Sequence, residues 1–143
     1  MKTQLKNFTM ALSIIFAAAS GAVAQEDHHA TKVMVQSHGI DMLGRNLEGS
    51  NVPGIVEGSL YDAIECKNLY PDLDYSKLLQ ATDRLANESN DPALAYKAHL
   101  VGMYLSHSSE IQVTPISGAE YHEYLFKQIA DQLESKFLAL QNG

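Results

Sequence analysis

The chain has 143 residues, 45% of them hydrophobic, and carries a net charge of −7 with histidine neutral. Polyanions and anionic lipid surfaces repel a chain of this balance, which excludes nucleic acid as the expected partner. The lone cysteine, Cys66, excludes an internal disulfide, so the fold stands on its hydrophobic core.

Lys2 and Lys6 precede an apolar run at residues 10–19, and Ala22-Val23-Ala24 follows as a small-x-small site. This is the pattern of a secretory signal peptide at residues 1–24, cleaved after Ala24. No later run approaches the roughly 18 apolar residues that a membrane span needs. The expectation is a soluble exported protein, periplasmic or extracellular, in a bacterial envelope. Its mature chain would start at Gln25 with 119 residues, and eight Lys and Arg against 17 Asp and Glu would give a net charge of −9. That length suits one domain.

Residues 25–30 are polar and aperiodic. Residues 32–36 alternate briefly, as a short strand or extended arm does. Residues 37–53 are glycine-rich without a sustained period and read as loop, with a helical turn near 40–47. Residues 25–53 are therefore expected to form a flexible or irregular N-terminal arm.

A helical domain is expected over residues 54–143. Val56, Leu60, Ala63, Ile64, Lys67 and Tyr70 share one face of a first helix, which Pro71 stops. A second opens at Asp74, with a stripe through Tyr75, Leu78, Leu79, Thr82, Leu85 and Ala86. The third begins at Asp91-Pro92, a capping residue followed by a proline at the first helical position. Leu94, Ala98, Val101 and Leu105 line one side of it; Tyr96, Leu100, Met103 and Tyr104 line the other, so it is expected to be central. Gly102 makes sense there if another helix packs closely at Ala98 and Gly102. The fourth starts with a capping box, Ser117-Gly118-Ala119-Glu120, flanked by a staple of Ile116 and Tyr121. Tyr121, Leu125, Ile129, Leu133, Phe137 and Leu140 line it.

The links between these helices are short, which favours antiparallel neighbours. The expected class is all-α: a small single domain of about four antiparallel helices, in two helical hairpins, after the N-terminal arm. Asp91-Pro92-Ala93-Leu94, with Ala98 and Val101-Gly102, resembles the opening of a helix in HEAT-type repeats, departing from that pattern at Ala95. The resemblance implies a similar helix-pair geometry and nothing about activity.

His99, Met103 and His107 are spaced four apart on the third helix and climb one side of it. Imidazole and thioether together suit copper, Cu(I) above all, and imidazole also suits zinc. His122 would join them if the fourth helix brought it near. The simpler readings are space filling for Met103 and a cation at the helix C-terminus for His107. Asp27-His28-His29, close to the mature N-terminus, could hold Cu(II) or Zn(II) weakly. No nucleophile elbow, phosphate loop, His-Glu-x-x-His helix or paired-cysteine motif is present, and Cys66 on a helix flank reads as structural. No catalytic residue and no cofactor is therefore assigned. The leading expectation is a non-enzymatic exported domain, a protein-interaction or self-association module, with Tyr61, Leu69 and Tyr124 as candidate exposed anchors. The alternative is a copper- or zinc-binding envelope protein using His99, Met103 and His107.

Overall fold

The computed structural model describes residues 25–114 and 121–141, with side chains at 30–114 and 121–139. The expected signal peptide, the Ser117–Glu120 capping box with Ile116, and the side chains of Asp27, His28, His29 and Leu140 lie outside the described residues. Regular structure among the described residues is helical throughout. The helices are α1 (Gln25–Met34), a π-helical segment (Val35–Gly39), α2 (Ile40–Gly49), α3 (Pro53–Leu69), α4 (Ser76–Glu88), α5 (Pro92–His107) and α6 (Tyr121–Gln141). The all-α class expected from the sequence holds. No described helix is long and apolar enough to cross a membrane.

Local chemistry sets the helix ends where the sequence puts them. The Asp91 carboxylate accepts from the amides of Ala93 at 2.9 Å and Leu94 at 3.3 Å, with Pro92 in the first turn of α5. Pro53 likewise stands in the first turn of α3, there without a side-chain cap. At the other end of α3, the Tyr75 hydroxyl donates to the carbonyls of Cys66 at 2.8 Å and Tyr70 at 2.9 Å. Lys67 donates to the Pro71 carbonyl at 2.7 Å, its ammonium 4.6 Å from the centre of the Tyr75 ring. The last carbonyls of α3 thus have partners before the chain turns.

The N-terminal region departs from the expected irregular arm. Residues 32–36 are helical rather than extended, and residues 40–49 form α2, a core helix. Ile40, Leu43 and Leu47 recur at spacings of three and four, and all are buried. Each glycine in a helix costs about 1 kcal/mol relative to alanine, which hides this period in a glycine-rich segment. Burying that stripe outweighs the cost. The Gln36 side-chain amide docks the π-helical segment: it accepts from the Asp74 amide at 2.8 Å and donates to the Asp74 carbonyl at 3.0 Å.

With α2 in place, the packing order differs from two sequential hairpins. α2 packs against α3 and α4, and α5 packs against the same two helices. α3 and α4, neighbours in sequence, are not a principal packed pair; α2 and α5 each pack against both of them. α5 is central, as its two apolar sides require, and α6 packs on it. Leu60, Ile64, Leu78, Val101, Leu125 and Ile129 meet in the fully buried centre.

Candidate binding groove

α6 is fastened differently along its two halves. Near its start, Lys97 of α5 donates to Glu57 of α3 and, at 2.7 Å, to Glu123 of α6. The Lys97 side chain is only 17% exposed and its ammonium lies 5.3 Å from the centre of the Phe126 ring. The Tyr121 hydroxyl donates to Glu65 at 2.8 Å, and the His122 ring stacks on Tyr61 with centroids 3.8 Å apart. Tyr61 also meets Tyr121 edge-on at 5.4 Å.

Further along, the middle of α6 is held by an extended chain segment after α5. Gln128 and Gln132, one helical turn apart, each embrace the backbone of one residue. The Gln132 side chain accepts from the Gln112 amide at 2.9 Å and donates back to the Gln112 carbonyl. Gln128 accepts from the Thr114 amide at 3.0 Å and donates to the Thr114 carbonyl at 3.2 Å. Residues 112 and 114 are presented to the glutamines, and the alternating Ile111 and Val113 turn inward, Ile111 fully. Lys136 adds a 2.7 Å ion pair to Glu110. Replacing Gln132 by alanine is expected to cost about 1 kcal/mol. Hydrogen exchange at the Gln112 amide should accelerate while amides of α4 keep their protection.

Beyond this clamp α5 and α6 leave a groove of about 740 Å³ between them. Leu100, Met103, Ile111, Ala130 and Leu133 line it, and Tyr96 and Phe137 stand on its rim. Phe137 is 62% exposed and Tyr96 56% exposed, the two largest exposures among the big apolar side chains described. Glu134 also borders the groove and carries no ion pair among the described residues.

His99, Met103 and His107 all line this groove; the two histidines are exposed and Met103 is half-buried. His107 Nδ1 lies 3.2 Å from the Met103 carbonyl oxygen. Eight residues of helix rise about 12 Å, so adjacent pairs on this face, His99 with Met103 or Met103 with His107, are the natural chelates. Among the described residues no group of three or more His, Cys, Asp or Glu converges as a metal cage. His122 does not join them, because it is committed to Tyr61.

Of the anchors expected from sequence, Tyr61 is half-buried in the aromatic cluster, while Leu69 and Tyr124 are exposed but stand outside the groove. Phe137 reads in sequence as the continuation of a core stripe, whereas in the structure it is exposed at the groove. The thiol of Cys66 is pushed up to about 11, chiefly by burial and also by Asp62 and Glu65, so it is protonated at neutral pH. Compared with known proteins, the chain matches no family model, no curated protein and no solved structure.

Proposed function

We propose that this protein is a non-catalytic exported module that works by protein–protein contact, its α5–α6 groove receiving an apolar helical segment of a partner. The exposed Phe137 beside an apolar groove is the observation that supports it, since contiguous exposed apolar surface marks interaction sites. Helix-in-groove recognition uses such surfaces. The net charge of −7 and the carboxylates of Glu110 and Glu134 bordering the groove favour a partner helix with basic residues. The protonated thiol of Cys66 agrees with a non-catalytic role.

A fluorescent amphipathic peptide of leucine and lysine serves as the probe, read by anisotropy. Phe137→Glu is expected to weaken its binding about tenfold or more. The substitution adds negative charge, so contact by charge alone would strengthen instead, and that result would sink the proposal. Loss of binding with an unchanged melting temperature supports the groove. A dimer in sedimentation that Phe137→Glu dissolves would point to self-association in place of a foreign partner.

A second reading is favoured by the alignment of His99, Met103 and His107 on one open face. It is a copper or zinc site, and it predicts a rise in melting temperature with Cu(I), Cu(II) or Zn(II) that His99→Ala removes.

A further inference from the structure

The α5–α6 groove has a neighbour on the other side of α5. Leu79, Thr82 and Ala86 of α4 and Ala98 and Gly102 of α5 line a second groove of about 350 Å³, and Asp83 borders it. Small residues of α5 keep its floor low, for Ala98 is fully buried and Gly102 has no side chain at all. His99 and Met103 line both grooves. At 3.6 residues per turn, Ala98 and Gly102 come first around α5, His99 and Met103 next, and Leu100 and His107 last. The two grooves therefore open on one face of the molecule, with His99 and Met103 as the ridge between them.

Geometry limits what covers such a face. A helix with its side chains is about 10–12 Å across, so one helix fills one groove. The grooves on either side of a single helix lie about one helix spacing apart, and packed helices stand about 8–10 Å from each other. Two packed helices thus seat in both grooves at once, and the ridge enters the valley between them.

Charge selects their chemistry. Asp83 is exposed and accepts from the neutral side-chain amide of Asn87 at 3.2 Å. Glu110 and Glu134 border the first groove, where Lys136 pairs with Glu110. Carboxylates border both grooves, so basic residues beside each apolar stripe of the partner meet opposite charge on both. Resting on the reading of the α5–α6 groove as a helix receptor, we infer that the partner is a basic helical hairpin, with one helix in each groove and the His99–Met103 ridge between them.

The probes are a single fluorescent leucine–lysine helix and two such helices joined antiparallel by a short turn, read by anisotropy against the purified protein. The joined pair should bind about tenfold or more tightly than the single helix, because its second helix docks at high effective concentration. Asp83→Lys should remove most of that gain. Asp72→Lys makes the same charge change at an exposed site outside both grooves and should keep it. Equal binding of the two probes overturns the hairpin, as does a gain that survives in Asp83→Lys or falls as far in Asp72→Lys. The single-helix reading stands through those results as long as Phe137→Glu weakens both probes. If Phe137→Glu weakens neither, that reading fails and the hairpin falls with it. A dimer in sedimentation that Asp83→Lys dissolves assigns the two grooves to a second copy of this chain and also overturns the hairpin.

Discussion

Ile40→Ala is expected to lower the unfolding free energy by about 3 kcal/mol, a large part of a small domain's total. Ile40 is 1% exposed and sits with Leu43 and Leu47 in the same core cluster as Leu60, Leu78 and Val101. Removing its outer carbons leaves a cavity that neighbouring helices close only in part. Urea unfolding followed by circular dichroism measures the loss. An irregular arm would answer differently: truncating a solvated side chain changes stability by less than about 0.5 kcal/mol. Val33→Ala on α1, where Val33 is 53% exposed, supplies that comparison within the same protein. A loss for Ile40→Ala as small as that of Val33→Ala would remove α2 from the core.

Gly102→Val is expected to cost about 2 to 3 kcal/mol, whereas Gly102→Ala should be close to neutral. A Cβ added at Gly102 would stand 3.3 Å from Thr82 Oγ1 and 3.8 Å from Thr82 Cβ. Thr82 is fully buried, and its hydroxyl is held by the Leu79 carbonyl at 3.0 Å, so it has little freedom to withdraw. Alanine gains about 1 kcal/mol of helix propensity, which offsets the small displacement it forces. Valine brings two further methyl groups against α4 and separates the helices. Thermal unfolding of both variants distinguishes the causes. If valine and alanine behave alike, propensity governs this position and the close approach of α4 to α5 is not limiting.

The close approach at Gly102 was legible because a glycine inside an otherwise apolar helix needs a packing reason. Asp91 and Pro92 were legible as a helix start because capping depends on residues adjacent in sequence. Other features were hidden by the same logic. Gln36, Gln128 and Gln132 look like solvated polar residues, and their two-handed grip on a backbone exists only when a distant segment arrives. Phe137 continues a core stripe in the sequence, and only the packed structure shows it exposed beside a groove.

The sequence by itself determined that helices follow Pro53, where α3 ends and α5 begins, and that α5 lies at the centre. Those properties rest on periodicity, prolines and caps, all of which act within a few residues. The tertiary structure alone decided that α2 is a core helix, that α2 and α5 both bridge α3 and α4, and that a groove remains beside Phe137. These depend on which apolar stripes meet. That choice is made by burial summed over the whole domain, and no local window of the chain contains it.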